Sequence, residues 1–270
     1  MRRFLLPALL VPMILAGIGY AGAVRAPVVR RATVSLPGWP AGAKPVTIAL
    51  LSDIHIGNLA TGRARFARVA ESVRALRPDL ILLAGDFIAG HSPTDADAAP
   101  ELVEGLRRLH APLGVVAVPG NHDHWTNIAK VRAALQAGGV TLLANQAVRR
   151  GPLAIGGLDD LVTRHDDLPA TVAALRALGG ARLMLSHSPD VSPKLPADIS
   201  LLLAGHTHCG QVVLPILGAP VHVSRYGLRY LCGVVREGAR TTIVTGGIGT
   251  SVLPFRYGAP PDIWLVRGGP

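Results

Sequence analysis

The sequence predicts an α/β protein whose chemistry sits at the carboxyl ends of parallel strands, and three observations carry that expectation. Short β-branched or leucine-rich runs alternate with stretches of helical periodicity. Glycine, proline or a polar residue cuts each run. The residues just past the runs are aspartate, asparagine and histidine, at the end of an open α/β sheet where ligands bind.

The first element is the most apolar. Residues 4–24 carry no charge and, at about 1.5 Å per residue, are long enough to cross a bilayer core. Arg2 and Arg3 precede them, and Arg25, Arg30 and Arg31 follow. An uncleaved signal anchor, a cleaved signal peptide and a buried core helix all fit. Ala21-Gly22-Ala23 has the small-x-small form of a cleavage site, but the run is longer than a signal-peptide core and favours a transmembrane anchor over residues 1–25. Basic residues on both flanks leave its orientation open. Residues 26–45, proline-rich and without periodicity, read as a linker, and residues 46–270 as one catalytic domain.

Residues 46–51 form the domain's first strand, ending in Ser52-Asp53-Ile54-His55. Phe66, Val69, Ala70, Val73 and Leu76 then recur at helical spacing over residues 63–77, until Pro78 stops the helix. Residues 80–84 are a second strand, ending in Gly85-Asp86, and a helix over 98–109 follows. Residues 114–118 are a third strand, broken by Pro119-Gly120 and followed by Asn121, His122 and Asp123. Taken alone, this last turn reads equally well as a helix cap. A helix over 128–137 comes next. Short strands near 141–143, 147–149 and 153–158 suggest an antiparallel meander. After a helix over 170–178, residues 183–185 run into His187, and residues 201–204 into Gly205-His206-Thr207-His208-Cys209. Residues 230–236, 241–245 and 263–266 are β-rich.

Composition narrows the partners. The chain is 49% hydrophobic, and its net charge of +10 is uneven: residues 1–45 hold six basic side chains and no acidic one. Mean hydropathy is +0.38, high for an enzyme free in solution. A nucleic-acid-binding surface would gather basic and aromatic side chains on the folded domain; here they crowd the amino terminus, where anionic lipid attracts them. Two cysteines, Cys209 and Cys232, exclude a disulfide framework and leave one bridge open.

Five strand ends thus present Asp53, His55, Asp86, Asn121, His122, His187, His206 and His208. Asp-x-His and His-x-His put alternate side chains on one face of an extended segment. The donors are too many for one tetrahedral zinc and fit two adjacent ions sharing a carboxylate. His91, His110, His165 and His222 read as ordinary core or surface residues. Arg63 and Arg65 read as solvated surface or as contacts for a substrate phosphate.

Together, Asp53-x-His55, Gly85-Asp86, Gly120-Asn121-His122-Asp123, His187 and Gly205-His206-Thr207-His208 resemble the calcineurin-like metallophosphoesterase superfamily over residues 46 to about 211. With the apolar amino terminus, the chain resembles the membrane-anchored bacterial phosphodiesterase branch. The resemblance implies a four-layer α/β/β/α sandwich of two mixed sheets behind an N-terminal transmembrane helix. It implies that Asp53, His55, Asp86 and His208 hold one divalent ion (manganese, iron or zinc), and that Asp86, Asn121, His187 and His206 hold a second, with Asp86 bridging. His122 would act on the phosphate or leaving group, and Asp123 would orient its ring. The expected reaction is phosphodiester hydrolysis by a metal-bridging hydroxide. The alternatives are a pyrophosphatase on a lipid-linked nucleotide-sugar substrate, of the lipid A pathway type, and a non-catalytic envelope-binding protein. The expected partners are a phosphodiester or pyrophosphate, small-molecule or lipid, and a membrane, without nucleic acid. The expected location is the bacterial inner membrane. Cys209 stands where relatives often have glycine and reads as a small buried thiol open to oxidation.

Overall fold

Strands buried on both faces build the domain. The protein is described by a computed structural model over residues 2–270. It begins with helix α1 (Arg2–Val24) and strands β1 (Val28–Ser35) and β2 (Val46–Leu51), followed by α2 (Arg63–Ala75) and β3 (Leu80–Ala84). Next come α3 (Ala99–Arg108), β4 (Val115–Val118), the short α4 (Asn121–Trp125), α5 (Ile128–Ala137) and β5 (Thr141–Leu142). The second half contains β6 (Gln146–Arg150), β7 (Leu153–Gly157), α6 (Leu168–Ala177), β8 (Ala181–Leu185) and β9 (Leu201–Ala204). Strands β10 (Gly233–Glu237), β11 (Arg240–Val244) and β12 (Asp262–Gly269) complete it.

Two six-stranded sheets result, ordered β1-β12-β2-β3-β4-β5 and β10-β11-β9-β8-β7-β6. Their facing sides share one core: Ile48, Leu50, Leu82 and Val116 meet Ile155, Leu183, Leu203 and Ile243. One residue along each strand the side chains turn the other way, as the pleat requires. Leu51, Ile81, Leu83 and Ala117 pack on Phe66 of α2, Leu106 of α3 and Leu135 of α5. Ala154, Met184 and Leu202 pack on Val172 and Leu175 of α6. The order is therefore helix, sheet, sheet, helix, and each fully buried Leu, Ile or Val contributes about 1.5–3 kcal/mol.

Two expectations are corrected here, and a third is left without support. The stretch read as a linker contains β1, a full edge strand paired in parallel with β12 from Val28–Asp262 to Ser35–Gly269. Its Val-Val-Arg-Arg-Ala-Thr-Val pattern is half-buried and broken by arginines, which hides it from a search for apolar runs. The meander is also absent. β5 joins β4 in the first sheet, β6 and β7 form a hairpin in the second, and β7, β8, β9 and β11 run parallel. Finally, among the described residues no helix is long and apolar enough to cross a membrane, so the expected transmembrane anchor is without support there.

The end of α1 is spent on the domain instead. Gly19 lets the Tyr257 ring lie against the helix backbone, where a Cβ would come within 2.5 Å of the Tyr257 hydroxyl oxygen. The Tyr257 hydroxyl donates to the Leu15 carbonyl, and the Arg256 amide donates to that of Gly19 at 2.9 Å. Arg65 is neither solvated nor free for a phosphate. It is buried, and donates to the Ala23 carbonyl at 2.8 Å and the Ile248 carbonyl at 3.0 Å, clamping α1 to α2. Arg63 pairs with Glu104 on the surface.

Candidate active site

The carboxyl ends of β2, β3 and β4 in one sheet and of β8 and β9 in the other converge, and the polar side chains are delivered there by strained turns. Asp53 and His55 each have a φ of 50°, Asp86 56°, His206 72° and His208 51°. The paired residues therefore meet through left-handed backbone and not through the alternation of an extended segment. Such conformations cost roughly 1–2 kcal/mol per residue and need a surrounding that over-determines them. Part of that surrounding is backbone: Asp53 donates to the Gly85 carbonyl at 2.9 Å, and His55 to that of Asp86 at 3.1 Å. Gly120 is needed where the β4 turn crosses Asp86, since a Cβ would lie 2.3 Å from the Asp86 Oδ1.

The side chains form two adjoining nests. In the first, His208 Nε2 lies 3.3 Å from Asp53 Oδ1 and 3.2 Å from His55 Nε2. In the second, His187 Nε2 lies 3.3 Å from Asp86 Oδ2, 3.0 Å from Asn121 Oδ1 and 3.1 Å from His206 Nδ1. Asp86 Oδ2 is also 3.5 Å from His55 Nε2, so one carboxylate faces both nests.

Whether these residues suit divalent ions can be tested on their own electrostatics. Burial pushes His55 and His206 down to about 3 and His208 well below its usual range, so all three imidazoles keep a lone pair at neutral pH. Asp53 Oδ1 is fully buried without a hydrogen-bond partner, a costly state for a carboxylate oxygen unless a cation meets it. His187 goes the other way. Burial alone would lower it, but the Asp86 carboxylate and, further off, that of Asp53 push it up to about 10. A proton held on His187 would offset the buried acids, and for His187 to serve as a ligand it would have to be lost. Asp53-His55-His208 and Asp53-Asp86-His187 each place donor atoms within 4.8 Å of one another, as does His55-Asp86-His122. Mixed oxygen and imidazole donors suit manganese, iron or zinc.

His122 Nδ1 donates to the Gly90 carbonyl at 2.7 Å, leaving Nε2 as its only free nitrogen. The ring lies edge-on to His55 with centroids 4.7 Å apart, and within 5.0 Å of Trp125. Asp123 does not orient it. The Asp123 carboxylate accepts from the amides of Gly120, Asp86, Phe87 and Ile88 at 2.9, 3.0, 2.8 and 3.3 Å, bracketing the β3 turn to the β4 turn.

A cavity of about 410 Å³ opens above the nests, floored by Asp86, Asn121, His122, His206 and His208 and walled largely by aliphatic side chains. His91 and His222, set aside as ordinary, line it. His165 is distant from it and stacks on His124, and His110 is exposed.

Two further contributors escaped sequence reasoning. Arg256 is buried behind His208, donating to the carbonyls of Gly246 and Gly249 at 2.6 Å and of Ala259 at 3.0 Å. It holds the 246–249 loop, whose Gly249 amide donates to the Asp53 carbonyl at 2.7 Å. An arginine after Pro254-Phe255 was the only signal, and it has no spacing to read. Cys209 is not a free thiol: it is bonded to Cys232, Cα to Cα 4.8 Å, closing the intervening loop beside the ligand-bearing turn.

Two carboxylate-bridged nests at the strand ends of an α/β/β/α sandwich define a metal-dependent hydrolase scaffold. The sequence model of the calcineurin-like phosphoesterases matches residues 46–210. The chain is 31% identical over 231 residues to the metallophosphoesterase YkuE of Bacillus subtilis, covering 83% of this chain and 79% of that one. It is 29% identical over 236 residues to phosphodiesterase YaeI of Escherichia coli, covering 83% of each. It is 28% identical over 278 residues to a transmembrane protein with metallophosphoesterase domain from Danio rerio, covering 95% of this chain but only 60% of that one. The chain belongs to the calcineurin-like phosphoesterase family.

Proposed function

We propose that the protein is a membrane-associated phosphodiesterase working with two divalent ions. The observation that carries this reading is the position of Asp86 Oδ2, within 3.5 Å of His55 Nε2 and 3.3 Å of His187 Nε2. Asp53, His55, Asp86 and His208 would hold one ion, and Asp86, Asn121, His187 and His206 the other. When bound, such a pair supplies Lewis acidity and an activated water for in-line attack on phosphorus. The chain's own residues do the rest. The aliphatic wall of the cavity excludes bulk water from the phosphoryl group. His122, with Nδ1–H committed to Gly90, would act as the imidazolium, giving its Nε2 proton to the leaving oxygen and becoming the neutral Nδ1–H ring.

The name of the Escherichia coli relative supports a diester over a monoester. The aliphatic wall favours an amphiphilic substrate, which keeps a lipid-linked pyrophosphate as the second reading. A non-catalytic envelope protein has no use for a buried imidazole whose free nitrogen faces the cavity. The relative called a transmembrane protein supports a place at a membrane, here the bacterial inner membrane. The disulfide favours its oxidising side.

The test is reconstitution. Chelated full-length protein should be inactive on bis-nitrophenyl phosphate. It should regain turnover with manganese, iron or zinc at close to two ions per chain, while Asp86→Asn loses both ions and turnover. Activity that survives chelation would sink the proposal.

A further inference from the structure

The walls of the cavity continue outward into a surface that the reaction does not use. Between Gln211 and Leu231 the chain leaves the second sheet as a long loop without a single acidic residue. Its apolar side chains point into solvent: Ile216 is fully exposed, Leu217 76%, Val221 67% and Leu228 61%. Val252 (85%) and Leu253 (57%) stand beside it, held by the Gln211 amide, which donates to the Ser251 and Leu253 carbonyls at 3.0 and 3.1 Å. A soluble protein does not expose so many large aliphatic groups in one patch without a partner for them.

The patch runs into the exposed part of α1. Val213 donates to the Tyr257 carbonyl at 2.8 Å, and the Tyr257 hydroxyl reaches the Leu15 carbonyl. On α1, Leu10, Val11, Met13, Ile14, Leu15 and Ile18 are all more than half exposed. Charge points to the same occupant. The first acidic residue of the chain is Asp53, and residues 199–236 are also acid-free, so neither α1 nor the loop has a carboxylate of its own; Asp190, which accepts from Ser224 and the Arg225 amide, is buried, and the Arg225 side chain is exposed. An apolar ridge with a basic border is what an anionic bilayer accepts: aliphatic groups enter the acyl boundary and cations meet the headgroups. Val221, Val252 and Leu253 of this ridge also line the cavity, so seating the ridge turns the mouth of the nests toward the headgroup layer.

We propose that the 212–228 loop, Val252–Leu253 and the exposed face of α1 form one docking surface for an anionic lipid bilayer, and that the site draws a bilayer-resident phosphodiester or pyrophosphate directly from it. This rests on the phosphodiesterase reading above. The Cys209–Cys232 bridge ties the base of the ridge to the His208 turn, so ridge and site move as one body.

The experiment compares the metal-loaded full chain with Ile216→Asp/Leu217→Asp, and independently with Leu228→Asp. None of these residues lines the cavity. Vesicles of phosphatidylcholine with and without phosphatidylglycerol are the probe. Soluble bis-nitrophenyl phosphate turnover reports folding and chemistry. The expected result is unchanged soluble turnover, at least about tenfold weaker vesicle binding, and a matching loss of turnover on a nitrophenyl phosphodiester bearing an acyl chain in the vesicles. Vesicle binding that persists in both variants, or that ignores the anionic lipid, overturns the proposal. Failure of the phosphodiesterase reading would look different: no soluble turnover by the unsubstituted chain, whatever the vesicles do.

Discussion

His122 and Asp123 are neighbours that do different work, and substitution should separate them. His122→Ala removes a ring whose free nitrogen faces the cavity but leaves the Asp86 carboxylate, which faces both nests, in place. Metal content should hold while kcat falls about 10²–10⁴-fold, with the smaller loss on diesters whose leaving group is a weak base such as nitrophenolate. Asp123→Ala should instead lose metal. Its carboxylate accepts four amides that fix the Gly85-Asp86 and Gly120-Asn121 turns, and stranding buried donors costs about 1–3 kcal/mol each. Elemental analysis of the two variants checks this. Equal metal loss in both would mean that His122 is a ligand, which its approach to His55 and Asp86 makes the competing assignment.

Among elements, β1 and the end of α1 tie the amino terminus into the domain with very different strengths. β1 hydrogen-bonds along the whole of β12, and Arg30 meets the buried Asp262 at 2.7 Å. The last turn of α1 offers mainly the Ala23 carbonyl to Arg65 and the Gly19 carbonyl to Arg256. Deleting residues 1–24 should leave a folded, metal-binding domain whose Tm is lower by several degrees, since about 1–3 kcal/mol of buried guanidinium bonding is lost. Deleting residues 1–35 should prevent folding, because it bares β12 and leaves the Asp262 carboxylate buried without its cation. Circular dichroism melts of the two truncations make the comparison, and indistinguishable curves would refute the division.

At the scale of the whole molecule, the cysteine pair fixes the loop that carries the apolar ridge. A bridge spanning a sequence separation of 23 restricts the unfolded chain by about 3 kcal/mol in the loop-closure account. Reduction, or Cys232→Ser, should lower Tm and expose the 211–231 loop to protease before the sheets. Acid-quenched protein should yield no alkylatable thiol, as expected of a domain on the oxidising side of its membrane. Two free thiols under that quench would place the domain on the reducing side.

The amino-acid sequence by itself determined which strands of the two sheets carry the polar side chains of the candidate site. The strands after which Asp53, Asp86, Asn121, His187 and His206 fall are short and almost wholly apolar, with Thr47 and Arg182 the polar exceptions, and each has glycine or proline close to one end, so local pattern and burial agree. Helices α2 and α5 were legible for the same reason, with apolar residues recurring on one face. What only the tertiary structure decided depends on partners distant in the chain. β1 is a strand because β12, more than 230 residues later, pairs with it; its own half-polar pattern says little. Arg65, Arg256 and Asp123 are buried because carbonyls and amides from separate loops converge on them, and no spacing encodes that convergence. The left-handed turns at Asp53, His55, Asp86 and His208 belong to the same class. Non-glycine residues adopt them only when the packed sheets supply more hydrogen bonding than the strain costs, a balance that exists in the folded molecule and nowhere along the chain.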